Sequence, residues 1–282
     1  MAGVTRRTVL GGALGSATLG LTACARPPVS FTRPTASPTG STAAQLEQMM
    51  AVYGTNTEKL GLWVRDLRSG RDWNHRGDYS SQSASMAKVM ISAMALRQAR
   101  SEGHELTFDQ QTLVSKALID SDNDAADALW AYAGGADAYQ RLANELQMTH
   151  TRRDDKRPDW SWTWTTPQDQ VVLLDKLVHG TTALVDLDRL YLLDVMRKTN
   201  PAHIWGIGTK RGGDVHVQMK NGWVEFKSSD QLWAVNSMGR VEGEGRDYLA
   251  AVMCRVPTFE LGKALLDAIG SDLFKLMGSA PL

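Results

Sequence analysis

Apolar residues recur with helical spacing from Thr42 to Tyr53, where Leu46, Met49, Met50 and Tyr53 share a face and Thr42 stands as a cap. From Leu60 to Leu67 the period falls to two. Arg68-Ser69-Gly70-Arg71 then turns the chain and Asp72 to His75 returns it, which predicts a β-hairpin. Met86 to Arg97 is again helical and strongly apolar, with Ser85 at its mouth, near unpaired backbone N–H groups and the positive end of the helix dipole. Helical patterns follow over Thr107 to Leu118, Asp124 to Tyr132, Ala136 to Leu146, Pro167 to Leu177 and Leu187 to Arg197, broken by Gly134-Gly135 and by a polar stretch from His150 to Thr166. The period then returns to two: Val215 to Met219, Leu232 to Met238 and Tyr248 to Met253 read as strands, and Phe259 to Met277 closes the chain as a helix. Strands at both ends of a helical middle predict a mixed α/β chain of the α+β type: an antiparallel sheet flanked by helices, with an inserted all-α subdomain.

The N-terminal segment is set apart from this pattern. Arg6-Arg7 precede an apolar, Gly-rich stretch from Thr8 to Gly20 that runs into Leu21-Thr22-Ala23-Cys24. Residues 1–24 therefore resemble a bacterial lipoprotein signal peptide, with Cys24 as the lipidated residue, and the arginine pair resembles a twin-arginine export signal. A short amphipathic or buried helix is the alternative; the run is shorter than the roughly 20 apolar residues a span requires. Residues 25–41 carry Pro27, Pro28, Pro34 and Pro38 among Ser, Thr and Arg, the composition of an extended tether, so the folded domain is expected over 42–282. The expected location is the outer face of the cell membrane, held by lipid on Cys24.

Charge and cysteine content narrow the chemistry. Thirty-one basic and 31 acidic residues in 282 leave no basic footprint for a nucleic-acid partner, and a chain this long can bury its own core, so a monomer is expected. Of the two cysteines, Cys254 lies in an apolar strand and reads as a buried thiol rather than a reactive one. The six histidines show no H-E-x-x-H or H-x-H spacing, and no G-x-S-x-G elbow is present; neither a metal site nor a cofactor is expected.

Ser85-Met86-Ala87-Lys88 is the single S-x-x-K in the chain. Helical spacing of three puts hydroxyl and amine on one face, and burial would lower the amine's pKa toward that of a base. Alone the motif is weak, since about one such tetrad arises by chance in a chain of this length and helix capping explains Ser85 equally well. Ser121-Asp122-Asn123 follows 36 residues on, between two helical stretches, and Lys220-Asn221-Gly222-Trp223 another 99 residues on, placed at the end of a strand.

In this order the three motifs resemble the S-x-x-K, S-D-N and K-T-G trio of class A β-lactamases and penicillin-binding proteins. Leu60 to Gly70 is similar to that superfamily's first hairpin, Thr165-Thr166-Pro167 to the segment after its omega loop, and the likeness covers the chain after Thr42. Residues Trp233 to Gly239 add a likeness to exported class A-like serine hydrolases of actinobacteria, many of them lipoproteins. The resemblance implies a β-lactamase/transpeptidase-like fold and a serine acyl hydrolase acting on β-lactams or D-alanyl peptide-like amides, including peptidoglycan peptides. It makes Ser85 the nucleophile, Lys88 the base, Ser121 the relay to the leaving amine and Asn123 a partner of substrate amide and Lys88. Lys220 supplies charge for a substrate carboxylate, Asn221 an amide donor to it, and Gly222 and Trp223 complete the substrate-binding motif. The backbone N–H groups of Ser85 and Trp223 form the oxyanion hole.

Three departures qualify it. The approach from Lys88 to Ser121 is short, Asn221 stands where Thr or Ser is usual, and the omega-loop region has no E-x-x-L-N, with Arg157 aligned near the missing water-activating glutamate. Asp155 and Asp159 are the candidate replacements, against a reading of both as solvated loop charges paired to Arg152, Arg153, Lys156 or Arg157. Slow deacylation is therefore expected. Strict alternation of Trp160, Trp162 and Trp164 predicts three indoles on one face of an extended stretch, lining a groove or plugging space left by the shortened subdomain. Two other functions remain: a non-turnover cell-wall-peptide or β-lactam binding or sensor lipoprotein, and a glutaminase.

Overall fold

The computed structural model describes residues 30–226 and 231–282; the N-terminal segment read above as a signal peptide, with Arg6, Arg7 and Cys24, lies outside them. Helix α1 (Thr42–Tyr53) leads into β1 (Leu60–Asp66) and β2 (Arg71–His75), and a two-residue strand β3 (Ser81–Gln82) precedes a 3-10 turn, Ala84–Met86. The helical insertion comprises α2 (Ala87–Ser101), α3 (Phe108–Ser115), α4 (Asn123–Tyr132), α5 (Gly135–Glu145), the short β4 (Trp164–Thr165), α6 (Pro167–His179) and α7 (Asp186–Arg197). Strands β5 (His216–Glu225), β6 (Trp233–Gly243) and β7 (Arg246–Val256) and helix α8 (Phe259–Ser279) complete the chain. The main sheet is antiparallel in the order β2-β1-β7-β6-β5, so the first strand pairs with the last, Leu60 opposite Cys254.

Two cores sandwich this sheet. On β7, Ala250, Val252, Cys254 and Val256 join α1, α8 and the buried face of β1, while Leu249, Ala251 and Met253 join the helical insertion. Successive side chains point to opposite faces, so a strand covered on both sides is apolar at every position. Helix α2 is buried nearly all round, Ala87 through Leu96, the condition of a helix enclosed by its own subdomain. Cys254 is buried as expected, and desolvation pushes its thiol up to about 12.

Local chemistry corrects several sequence expectations. Ser41, not Thr42, caps α1 by accepting from the Ala44 N–H at 3.3 Å; the Thr42 hydroxyl donates instead to Ala280 O. The described part of the predicted tether lies along α1: Thr32 and Asn56 exchange two hydrogen bonds, Thr39 and Gln48 two more, and Phe31 packs 6.4 Å from the Tyr53 ring. The predicted helix from Thr107 to Leu118 ends at Ser115 and continues as a π turn, Lys116–Asp120, that delivers Ser121. Each of the last three strands is longer than its apolar stretch, because main-chain pairing continues past the buried positions. No described helix is long and apolar enough to cross a membrane.

Candidate active site

Ser85 sits half-buried in the 3-10 turn ahead of α2, directly after Ala84, whose φ of 47° is left-handed. Such a conformation costs a non-glycine residue about 1–2 kcal/mol and is held here by its neighbours. Ser83 N–H donates to Thr163 O at 2.8 Å, the Ser83 and Thr163 hydroxyls pair, and Asn236 Nδ2 donates to Gln82 O at 2.9 Å. The fourth support is β5, the edge strand. A Cβ on Gly222 would lie 2.6 Å from Ser83 O and 2.8 Å from the nitrogens of Ser85 and Met86, so only glycine lets the strand run against this turn. Lys220 to Trp223 thus stand inside β5, not at its end as predicted.

Ser121-Asp122-Asn123 divides its work by position. Ser121 takes a left-handed φ of 58°, Asp122 caps α4 by accepting from Ala125 N–H at 2.7 Å, and Asn123 opens the helix. Both motif lysines converge here. Lys88, 0% exposed, donates to Ser121 O at 2.5 Å and Asn123 Oδ1 at 2.7 Å, with Ser121 Oγ at 3.4 Å; Lys220, 2% exposed, donates to Ser121 Oγ at 2.9 Å. Burial lowers Lys88 to about 8, against the opposing pull of Asp122 and Asp127. Lys220 is pushed well below the ordinary lysine value, by burial first and by Lys88 second. Among the described residues Ser85 Oγ makes no hydrogen bond, and the Lys88 amine is directed toward Ser121 and Asn123.

Other positions depart from expectation. Asn221 aims its amide inward, donating to His203 O at 2.8 Å and Trp205 O at 3.3 Å, so both amide hydrogens are engaged by the chain rather than offered to a substrate carboxylate. Trp223 contributes backbone to the edge, while its ring packs among Trp205, Phe259 and His203. Asp155 is 86% exposed and pairs with Arg153, and exposed Asp159 accepts from Ser161 Oγ; these are the solvated loop charges of the plainer reading. Arg157, aligned near the missing glutamate, instead stacks 3.9 Å from the Trp162 ring.

The residue facing Lys88 is Trp160. Lys88 Nζ lies 4.8 Å from its ring centroid, the residue is 6% exposed, and its indole N–H donates to Asp127 Oδ1 at 2.6 Å. The three tryptophans do not share a face, because Trp160–Trp162 form a 3-10 turn closed by Thr163, whose N–H and hydroxyl both donate to Trp160 O. Trp162 packs edge-on against Phe226 and Trp164 donates to Asp154. The alternating tryptophans mark Trp160 only as a groove-lining or space-filling indole, not as a neighbour of Lys88, and no local pattern marks Thr163, His203 or Asn236 as site residues. The loop from Asn200 to His203 braces the Ser121 turn through Asn200 Nδ2 to Asp120 Oδ1 at 2.9 Å and a His203 Nε2 contact with Asp120 O at 3.1 Å. No group of three or more His, Cys, Asp or Glu among the described residues could hold a metal ion.

Comparison with known proteins agrees with this architecture. A beta-lactamase from Streptomyces lavendulae is 27% identical over 256 aligned residues, spanning 75% of this chain and 81% of that protein. Among solved structures, a class A beta-lactamase from Bacteroides cellulosilyticus superposes with a TM-score of 0.71 at 16% identity, covering 86% of this chain and 100% of that one. The chromosome-encoded beta-lactamase of Vibrio parahaemolyticus gives 0.69 at 16% identity, over 83% and 100% of the two chains. The model of the beta-lactamase enzyme family matches residues 42–112 and 102–277. The ordered motifs, the sheet and the family match agree, and the chain belongs to the beta-lactamase enzyme family as a hydrolase with a class A-like fold.

Proposed function

We propose that this hydrolase works as a penicillin-binding-type acylating enzyme: it forms an acyl-enzyme on Ser85 with β-lactams or D-alanyl peptide-like amides and releases it slowly. The observation that carries this reading is the convergence of two buried lysines on Ser121, behind a serine held in a strained turn. With a value near 8, about a tenth of Lys88 is neutral at pH 7 and able to accept the Ser85 hydroxyl proton as Oγ attacks the carbonyl carbon. The carbon–nitrogen bond then breaks, and the leaving nitrogen takes a proton from the Ser121 hydroxyl, which Lys88 restores. Lys220 stabilises the anionic Ser121 oxygen during this relay and attracts a substrate carboxylate. The N–H groups of Ser85 and Trp223 would hold the developing oxyanion, where each donor is worth about 10²–10³ in rate.

Slow release follows from what faces the amine. An indole stands against Lys88, and the loop carboxylates Asp155 and Asp159 are engaged elsewhere. Family membership favours a beta-lactamase-type hydrolase over a binding lipoprotein or a glutaminase. Rapid mixing with a chromogenic cephalosporin should give a burst of about one equivalent followed by a slow steady rate. A steady rate equal to that of Ser85→Ala would return the protein to the binding reading. Export with lipid on Cys24 belongs to the same proposal and rests on the N-terminal pattern; radiolabelled palmitate incorporated by the producing bacterium should be lost in Cys24→Ser.

A further inference from the structure

Trp160 takes no part in the proton transfers above, yet its turn is fixed on three sides. Its indole N–H is tied to Asp127 on α4, its carbonyl accepts from both Thr163 groups, and Thr163 is joined to Ser83 two residues before the nucleophile. The turn therefore cannot drift away from the start of α2, and the indole face stays against the Lys88 amine. A π face attracts an ammonium ion most strongly where water is excluded, and Lys88 is fully buried.

The groups around that amine are few. From the π turn and α4 come Ser121, Asp122, Asn123 and Asp127; from β5 comes Lys220; and from the loop before β5 comes His203. Asp122 and Asp127 both favour the charged amine, but Asp122 is engaged in capping α4 and Asp127 in holding the indole. Lys220, itself pushed down by burial and by Lys88, adds no carboxylate to the site. No carboxylate forms an ion pair with Lys88 among the described residues, and the indole face is what the enclosing loop presents to it.

We infer that Trp160 is a positioning residue for Lys88, holding the amine toward Ser121 and Asn123 and setting the balance between its charged and neutral forms in place of a carboxylate. The inference rests on Lys88 being the base of the proposed reaction, but its first test does not require activity. Nuclear magnetic resonance of the lysine side chains in the purified full-length chain reports the Lys88 titration directly, assigned by comparison with Lys88→Met.

Wild type should titrate near 8. Trp160→Leu keeps the site dry but removes the π face, so the midpoint should fall by about one pH unit. Trp160→Phe keeps a π face but gives up the indole N–H bond to Asp127 and part of the ring, so its midpoint should move less than that of Trp160→Leu. Should Trp160→Leu fail to fold, replacing tryptophan by a fluorinated analogue throughout weakens the π face without changing the shape, and the midpoint should still move to lower pH. A Lys88 midpoint that stays at the wild-type value without an intact π face overturns the inference. In kinetic terms, the acid limb of Ser85 acylation should move with the midpoint in Trp160→Leu. Failure of the wild type to be acylated at all counts against the proposed reaction, and the titration still decides the role of Trp160.

Discussion

Gly222 and Ser85 lie in backbone contact: a Cβ at 222 would stand 2.8 Å from the Ser85 nitrogen and 2.6 Å from Ser83 O. The obstructing atoms are main chain, so neither neighbour can yield by changing rotamer. Gly222→Ala should push β5 away from the Ser85 turn. Because a displacement of about 1 Å can remove about 10² in rate, acylation by a fluorescent penicillin should fall at least that far. Overpacking should cost about 1–3 kcal/mol in urea unfolding. Acylation at the wild-type rate would show that β5 is not what places Ser85.

Lys220 and Ser121 are linked by a 2.9 Å hydrogen bond that Ser121→Ala deletes. The variant keeps the nucleophile and Lys88 while removing the relay, so acylation should slow by about 10²–10⁴. A Ser121→Ala protein that reacts as fast as wild type would remove Ser121 from the path of the proton.

Burial of Lys88 carries a signed dependence on pH. Its folded value, about 8, lies below its unfolded value of about 10.4, so between these limits the unfolded chain binds the extra proton and stability rises with pH. Lys88→Met lacks this contribution. Relative to wild type, the variant should lose up to about 3 kcal/mol of advantage between pH 7.5 and about 10.5, read from urea midpoints. Wild-type acylation should rise through the same midpoint near pH 8 and then level off. Parallel stability curves for the two proteins would mean that Lys88 is charged throughout.

Asn221 has become a structural residue, its amide bridging His203 O and Trp205 O. Asn221→Ala should therefore cost about 1–3 kcal/mol of stability. Its effect on acylation should be smaller than that of Ser121→Ala. The reverse order would restore Asn221 to substrate contact.

Legibility followed the range of the forces involved. Hairpin, helices and strands were readable because each buried face imposes a period of two or 3.6 on consecutive residues. The three motifs were readable because Ser85 and Lys88, or Ser121 and Asn123, act within one local turn. What escaped depends on distant partners. Thr42 looked like a cap, but its hydroxyl meets Ala280 at the other end of the chain. The alternation of Trp160, Trp162 and Trp164 suggested an extended strand, whereas hydrogen bonds from Thr163 curl it into a turn and the indole–Asp127 bond aims the first ring at Lys88. Asn236 and Gly222 support Ser85 across more than 130 residues of sequence; the motif marks Gly222 as a site residue, but its close approach to the Ser85 turn, like the Asn236 bond to Gln82, depends on the folded arrangement.

The central claim is a covalent one, so intact-mass spectrometry of the purified full-length chain tests it most directly. After incubation with a penicillin, one adduct of the full penicillin mass should appear, map to the peptide containing Ser85, persist during gel filtration and be absent from Ser85→Ala. No adduct with penicillins, activated esters or fluorophosphonates, or an equal adduct on Ser85→Ala, would contradict the account.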